Sequence, residues 1–477
     1  MTSFSSPSSN QPRYSFRLRP RERRLLLISI DLLMGVLALV VALYYWARGD
    51  EFLEFSLEFL QRTPGWIFLL PLLWMILLVE LYDEHRATRM SDTLKGIAAA
   101  AVIGLGIYLL LYFTSEPKSL PRRGVAGFIV AASLFTLMGR WFYIRVFTRP
   151  QFMRRVLLVG GGETGTILLQ IVRNTWPQPY YLAGIIDDDV QKIGRKIEGY
   201  PVFGGSNKLK ETIEQYQITD LIVAISGQML PEMFKALLEA QEMGVEITRM
   251  PLAYEEILGR VPIRYLEADW ILRYFVDQAS VGGLYELAKR LIDIVGALVG
   301  LFMLMFFFPP IALAIVLDSG FPIFYSQVRS GRGDRRYNIF KFRTMKQNAE
   351  ADGQPQWAEE SDPRATRVGR FLRKTHLDEL PQFFNVLRGE MSLVGPRAER
   401  PELVEFFQKS VPFYRARLLV KPGITGWAQV NFGYTATVDE TIVKLEYDLY
   451  YIMNRNLLMD ILILLRTPTT IFGLKGR

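Results

Sequence analysis

Two adjacent acids in the last third of the chain have the types and spacing for phosphate chemistry. Asp378 and Glu379 directly precede Leu380–Pro381–Gln382, and the segment PQFFNVLRG predicts an amphipathic helix that begins at the proline. Acids at a helix N-terminus stabilise the helix by capping it and by interacting favourably with its dipole. This structural role would explain the acid pair without any catalytic function. Alternatively, one carboxylate attacks a phosphorus atom while its neighbour holds Mg²⁺. The local sequence taken alone favours the first interpretation and leaves the second open.

Basic residues accompany this acid pair. The candidates for phosphate binding are Arg329, Lys341, Arg343 and Arg397. Arginine presents a planar fork that suits phosphate oxygens, and the Gly-Pro turn in SLVGPR presents the last of these arginines rigidly. A solvated face or a lipid contact would use the same residue types. His376, two residues before Asp378, is assigned no role.

A long apolar run lies between the middle of the chain and the acid pair. Leu291–Leu317 is long enough to cross a bilayer as one helix, at about 1.5 Å per residue. Both of its flanks are basic, and basic flanks tend to stay cytoplasmic. Pro309 and Pro310 remove two backbone donors and are expected to bend the helix. A re-entrant helix over 286–317 and a kinked spanning helix both fit this pattern.

The N-terminal part predicts a disordered tail over 1–23 and four transmembrane helices over 24–148. The tail is rich in Ser, Pro, Asn and Gln. The four apolar segments are Leu25–Trp46, Trp66–Leu81, Leu94–Phe113 and Gly124–Phe147, of which the second is short. Arginines cluster before the first segment, between the second and third, and after the fourth. This distribution predicts a cytoplasmic N-terminus and cytoplasmic soluble domains.

The middle of the chain, 152–262, alternates strand and helix patterns and predicts a Rossmann-like parallel sheet, with a linker over 263–284. Gly160, Gly162 and Gly165 follow the strand RVLLVG with Gly-x-Gly-x-x-Gly spacing, and Asp187 ends the next strand. These are the positions of a pyrophosphate-binding turn and a ribose-binding acid. A scaffold that keeps the tight turn without a ligand explains them too, and a lone motif favours that interpretation.

Composition narrows the chemistry further. The chain has 477 residues, a formal net charge of +8, half of its residues hydrophobic, no cysteine and two histidines. Without a nucleic-acid motif, the basic charge indicates anionic lipid or phosphorylated substrates and no nucleic-acid partner. The absence of cysteine excludes disulfides, thiolate metal sites and cysteine nucleophiles.

Three ordered motifs carry a family resemblance. KFRTM, LDELPQ-FNVL-G-MSLVGPR and KPGITGWAQV together resemble the bacterial polyprenyl-phosphate hexose-1-phosphate transferases. These are monotopic phosphoglycosyl transferases that initiate exopolysaccharide or O-antigen synthesis. The likeness covers 285–477 as the catalytic domain, and the upstream helices and sheet domain resemble the long form of the family. The chain departs from many relatives in having Pro309–Pro310 instead of Ser-Pro.

The resemblance implies an enzyme of the bacterial inner membrane with several passes and cytoplasmic soluble domains. A UDP-hexose would give its hexose-1-phosphate to undecaprenyl phosphate and release UMP. Asp378 would be the nucleophile of a covalent phosphosugar–aspartyl intermediate, Glu379 would hold Mg²⁺ with it, and Arg397 would grip phosphate. The catalytic domain would be mostly helical and anchored by a re-entrant helix.

Other functions fit parts of the sequence. A membrane-bound, NAD-dependent sugar-nucleotide dehydratase or epimerase would use the middle domain and a Tyr-x-x-x-Lys motif. Tyr285–Lys289 has that spacing, but it lies at the mouth of the apolar run and is interpreted as an interface anchor. A membrane sensor or scaffold with an inert last third is the third hypothesis. The sequence does not reveal the sugar, and it leaves self-association through the middle domain open.

Overall fold

The computed structural model describes residues 20–48, 55–82, 87, 89–114, 122–147, 153–176, 178–265, 283–346, 364–433 and 437–471. The chain forms two compact units, Met1–Met250 and Pro251–Arg477. The predicted tail over 1–23 and linker over 263–284 fall mostly outside the described residues.

The N-terminal part of the first unit is helical and apolar. Its helices are α1 (Pro20–Arg48), α2 (Leu57–Arg62), α3 (Leu70–Leu77), α4 (Met90–Thr114) and α5 (Arg122–Phe147). Three of the four predicted segments form α1, α4 and α5, which are long and apolar enough to cross a membrane. The second forms the shorter apolar helix Gly65–Leu77, which starts as a 3₁₀ turn and continues into α3 with Pro71 in the first turn.

A buried ion pair joins α1 to α5. The NH2 group of Arg140 lies 2.6 Å from Oδ2 of Asp31, and both side chains are 0% exposed. NH1 of Arg140 donates to the carbonyl of Leu81, at 2.8 Å, so the guanidinium also holds the end of the second apolar segment. Because each charge is removed from water, each depends on the other for compensation.

We expect the Arg140→Met variant to lose about 3–5 kcal/mol of stability, since Asp31 would remain buried without its partner. Thermal unfolding of the detergent-solubilised chain measures the loss. Arg62→Met is the matched control, because its pair with Glu58 is 66% and 62% exposed and exposed pairs contribute about 0–1 kcal/mol. Equal stabilities of the two variants would contradict a structural role for the buried pair.

The rest of the first unit is a six-stranded sheet with the order β3-β4-β2-β1-β5-β6. The strands are β1 (Arg155–Val159), β2 (Tyr181–Ile186), β3 (Lys196–Ile197), β4 (Tyr200–Gly204), β5 (Asp220–Val223) and β6 (Glu246–Arg249). The helices are α6 (Glu163–Asn174), α7 (Leu209–Tyr216) and α8 (Pro231–Glu242). All neighbouring strands are parallel except the edge pair β3–β4, in agreement with the predicted parallel sheet. Leu157, Ile186 and Leu221 are fully buried in its core.

The second unit is mostly helical. Its helices are α9 (Met250–Leu258), α10 (Gly283–Ser319), α11 (Arg367–Thr375), α12 (Phe383–Arg388), α13 (Pro401–Ser410), α14 (Trp427–Asn431), α15 (Val438–Asn454) and α16 (Leu457–Ile471). The strands are β7 (Phe324–Ser330), β8 (Arg336–Phe342), β9 (Ser392–Val394) and β10 (Gly423–Thr425). β7 and β8 form an antiparallel pair, and β9 and β10 a parallel pair. Val386, Leu449 and Ile463 are fully buried, so α12, α15 and α16 share one core.

The predicted apolar run lies within α10, which is 37 residues long and continuous across Pro309 and Pro310. Two backbone carbonyls in this helix therefore lack their usual intrahelical donors. Length and composition allow α10 to cross a membrane, and re-entry stays a prediction.

The sequence over 251–262 was predicted to be the C-terminal end of the sheet domain. It belongs instead to the second compact unit, where the hydroxyl of Tyr254 donates to Glu446 at 3.2 Å.

Candidate active site

The acid pair lies on a 3₁₀ turn, Leu377–Gln382, between α11 and α12. His376 ends α11 in the left-handed conformation, with φ of 53°, and its carbonyl accepts a bond from the amide of Glu379 at 3.1 Å. The helix predicted to start at Pro381 instead starts at Phe383, because Pro381 is inside the turn. Asp378 and Glu379 are each 7% exposed, so both acids are buried just before a helix N-terminus.

Two of the predicted cations converge on Glu379. Nζ of Lys341, from β8, lies 2.7 Å from Oε1 of Glu379, and NH2 of Arg397 lies 2.9 Å from the same oxygen. A carboxylate that binds two cations is held in one orientation. The structure therefore brings together four of the residues chosen from the sequence, Asp378, Glu379, Lys341 and Arg397.

Backbone packing between two sequence motifs positions Arg397. The strand in MSLVGPR (β9) pairs with the strand in KPGITG (β10), and Arg397 itself bridges to Gly423. A Cβ atom on Gly395 would lie 2.4 Å from the carbonyl oxygen of Lys421, so only glycine allows this approach. Sequence reasoning treated these motifs as separate turns and missed their pairing. The glycines in both motifs were the available signal, because glycine allows two backbones to approach closely.

Opposite electrostatic environments act on the two acids. For Glu379, burial favours the neutral form, but the charges of Arg397 and Lys341 outweigh it and lower the pKa. For Asp378, burial and then the neighbouring Glu379 charge raise the pKa, against the opposing effect of Lys341 and Arg397. Such a separation is typical of acid pairs in which the two members have different tasks.

The other two predicted phosphate-binding residues hold flanking segments. NH2 of Arg343 donates to the carbonyl of Ser319, at 2.9 Å, and to that of Gly320, at the end of α10. Arg329 donates from NH1 to the carbonyl of Ala398, at 3.1 Å, next to Arg397. Neither makes a hydrogen bond to the acid pair among the described residues, and a direct phosphate contact by either stays a prediction.

The acid pair fits a magnesium ion by the chemistry of its donors. Mg²⁺ in proteins is usually held by one or two carboxylates, with substrate phosphates and water completing the coordination. Asp378 and Glu379 supply two hard oxygen donors of this kind. Within the described ranges there is no cluster of three or more acidic, histidine or cysteine side chains that would form an all-protein metal site.

The glycine motif of the sheet domain makes contacts that account for it without a ligand. A Cβ on Gly165 would lie 2.1 Å from the carbonyl oxygen of Gly160, whose own φ is +101°, so both glycines are required by the turn. Oδ2 of Asp187 accepts bonds from the amide of Gly161, at 2.7 Å, and from Nζ of Lys192, at 3.0 Å. Gly162 has open space around its Cα. Nucleotide binding by Gly160, Gly162, Gly165 and Asp187 stays a prediction.

Tyr285 and Lys289 are anchored to another helix. Nζ of Lys289 lies 2.9 Å from Oδ2 of Asp460 on α16, and the hydroxyl of Tyr285 donates to the same oxygen at 3.0 Å. Both residues belong to the first turns of α10 and not to the sheet domain. These contacts pack the start of α10 against α16, and a role of the pair at the membrane interface stays a prediction.

Comparison with known proteins distinguishes the alternatives. Residues 284–473 match the family described as bacterial sugar transferase, and residues 78–251 match one described as CoA-binding domain. A UDP-glucose:undecaprenyl-phosphate glucose-1-phosphate transferase of Caulobacter vibrioides is 41% identical over 188 residues, which are 38% of this chain and 68% of that protein. The chain belongs to the bacterial sugar transferase family. This match agrees with the family resemblance that the sequence motifs carry.

Other family members align over different lengths. A UDP-glucose:undecaprenyl-phosphate glucose-1-phosphate transferase of Xanthomonas campestris pv. campestris is 29% identical over 85% of this chain and 86% of its own length. A UDP-N-acetylgalactosamine-undecaprenyl-phosphate N-acetylgalactosaminephosphotransferase of Aeromonas hydrophila is 43% identical over 46% of this chain. The chain spans 50% of the length of the Aeromonas protein. The family match disfavours the dehydratase alternative, and the apolar helices of this chain indicate association with a membrane.

Proposed function

We propose that this chain transfers hexose-1-phosphate from a UDP-hexose to undecaprenyl phosphate, giving undecaprenyl-diphosphate-hexose and UMP. This would be the first membrane step of exopolysaccharide or O-antigen synthesis. The observation that carries the proposal is the buried Asp378–Glu379 pair with Lys341 and Arg397 bound to Glu379, in a chain of the bacterial sugar transferase family.

The proposed reaction has two displacements at one phosphorus atom. First, a carboxylate oxygen of Asp378 attacks the phosphorus that carries the hexose, the bond to the uridylate oxygen breaks, and UMP leaves with the electron pair. Second, a phosphate oxygen of undecaprenyl phosphate attacks the same phosphorus, and the bond to Asp378 breaks. The carboxylate is restored, so atoms and charge balance over the cycle.

The surrounding groups serve this chemistry by position and charge. Arg397 and Lys341 place two cations beside the acids, where they offset the negative charge of the diphosphate and of the departing UMP. A magnesium ion held by Asp378 and Glu379 would supply further neutralisation of phosphate charge. Glu379 keeps both cations oriented and is itself held ionised by them.

The membrane helices match the nature of the acceptor. Burial stabilises each CH₂ group of a polyprenyl chain by about 0.8 kcal/mol, so the acceptor phosphate stays at headgroup depth. We propose that α10 re-enters the membrane face it came from and that the soluble parts lie in the cytoplasm of the inner membrane. The basic flanks of α10 and the two prolines support this arrangement.

The topology can be measured because the chain has no cysteine. Single cysteines at Leu284 and Phe321, both exposed near the two ends of α10, should react with a membrane-impermeant maleimide from the same side. Inverted vesicles should be labelled at both positions and spheroplasts at neither. Labelling of the two positions from opposite sides would establish a spanning helix instead.

The activity itself is tested by incubating the full chain with UDP-sugars, undecaprenyl phosphate and Mg²⁺. Release of UMP that requires one particular UDP-sugar would support the proposal and identify the hexose. A UDP-sugar whose diphosphate stays intact while its sugar is oxidised or dehydrated in the presence of NAD would support the dehydratase alternative and contradict the proposal.

A further inference from the structure

A basic cleft opens at the first turns of α10, away from the acid pair. Its charged lining residues are Glu286, Lys289, Arg290, Asp293, Arg332, Lys421 and Arg455. Arg290 on its wall donates to the carbonyls of Val386 and Leu387, at 2.8 and 2.7 Å, at the C-terminal end of α12. The acids precede the N-terminal end of α12, a helix of 6 residues and therefore about 9 Å long. The cleft is thus a separate site.

Some of the charges in the cleft are already compensated. Lys289 is paired with Asp460, and Arg290 is bound to the end of α12. Oδ1 of Asp293 accepts from the hydroxyl of Ser392 and the amide of Leu393, both at 2.9 Å. Among the charged lining residues two acids, the buried Asp293 and the exposed Glu286, then face three cations.

The three remaining cations are Arg332, Lys421 and Arg455, and no carboxylate within the described parts of the chain forms a salt bridge with them. Nε of Arg455 is buried and has no hydrogen-bond partner among these residues. Nζ of Lys421 and NH2 of Arg290 each lie 3.6 Å from where a Cβ on Gly389 would be. Burial and then the charge of Arg290 lower the pKa of Lys421, against the opposing effect of Asp293 and Glu286. Like charges gathered in this way call for an anion.

The cavity is small, about 40 Å³. About 10–15 Å³ of such space holds one water molecule, so the cavity has room for a phosphate group. Apolar surface continues from its rim. Leu287 and Leu291 are four residues apart on α10 and therefore lie on one face of the helix, beside Arg290. Their side chains are 61% and 57% exposed. On α16, close to Arg455, Leu458 and Ile461 are exposed as well.

We propose that Arg332, Lys421 and Arg455 bind the phosphate of an anionic phospholipid whose acyl chains lie along Leu287 and Leu291. The pattern of cations beside exposed leucines matches a headgroup with its tails. This lipid is not a reactant, because the cleft lies at the opposite end of α12 from Asp378. It fixes the start of α10 at headgroup depth and gives the KPGITGW loop, through Lys421, a binding role.

The test uses the full chain in nanodiscs that contain phosphatidylglycerol and phosphatidylcholine, with the lipids that remain bound counted by native mass spectrometry. The wild type should retain phosphatidylglycerol in preference to phosphatidylcholine. Lys421→Gln and Arg455→Gln should each weaken retention about fivefold, whereas Lys409→Gln, which removes an exposed charge on α13, should not. Arg332→Gln, at an exposed turn, is the variant to use if the others do not fold.

Two competition experiments distinguish a lipid headgroup from other phosphate-containing ligands. Millimolar inorganic phosphate and millimolar UDP are added to the nanodiscs in turn, and neither should displace the lipid. Displacement by inorganic phosphate would establish a free-phosphate site, and displacement by UDP would establish a part of the donor site. Either result, or equal lipid retention by Lys421→Gln and Lys409→Gln, would overturn the proposal. None of these readings depends on transferase activity.

Discussion

The Asp378→Asn variant is expected to release UMP at least about a thousandfold more slowly than the wild type, because a neutral amide cannot replace the attacking carboxylate. The folded chain should persist, since the substitution removes a buried charge whose ionisation is already opposed by burial. UMP release is measured with a UDP-sugar, undecaprenyl phosphate and Mg²⁺. Circular dichroism and gel filtration establish that the variant is folded.

A second readout isolates the covalent step. With UDP-sugar and no undecaprenyl phosphate, intact mass spectrometry should detect a hexose-phosphate adduct on the wild type and none on Asp378→Asn. The matched control is Asp439→Asn, an exposed acid in the first turn of α15, which should keep both activities. An adduct of equal yield on Asp378→Asn would assign the nucleophile to another residue, while a lack of UMP release by the wild type itself would refute the proposed function.

The Glu379→Gln variant is expected to lose about a hundredfold in kcat/KM, since Lys341 and Arg397 lose the charge that orients them and the pair loses an oxygen donor for Mg²⁺. The variant should also change the pH profile. In the wild type, burial and then the Glu379 charge raise the pKa of Asp378 to about 6. The carboxylate is the attacking form, so kcat/KM should fall as the pH drops through this value.

Removing the Glu379 charge removes one cause of the raised pKa, so the acid limb of Glu379→Gln should lie at lower pH than that of the wild type. Glu379→Asp keeps the charge and should keep the acid limb near its original position. The profiles are compared at one low Mg²⁺ concentration, because a bound cation also favours the carboxylate form. Identical acid limbs in the wild type and Glu379→Gln would mean that Asp378 is not the titrating group.

Local features of the sequence predicted a large part of this protein. The lengths of the continuous apolar segments predicted α1, α4, α5 and α10, because the start and end of such a segment can be read directly from the residue types. Alternating strand and helix patterns predicted the parallel sheet. The ordered motifs around Asp378 predicted the family, since each is a short run of residues that can be recognised without knowing its distant contacts.

Contacts between distant residues could not be predicted in the same way. Asp31 and Arg140 are buried partners 109 residues apart, and no local periodicity links them. The direction of the Arg343 side chain towards the end of α10 depends on how β8 packs. Asp187 accepts a hydrogen bond from the amide of Gly161. The Gly-x-Gly-x-x-Gly pattern does not reveal this contact.

The sequence by itself determined which segments are apolar, which acids and cations are available, and which family the motifs indicate. Only the tertiary structure decided that Lys341 and Arg397 share one oxygen of Glu379, and that Arg332, Lys421 and Arg455 meet in a second basic cleft. The physical reason is that apolar length and helix period are properties of neighbouring residues. The meeting of side chains, in contrast, depends on strand register and helix packing over the whole unit.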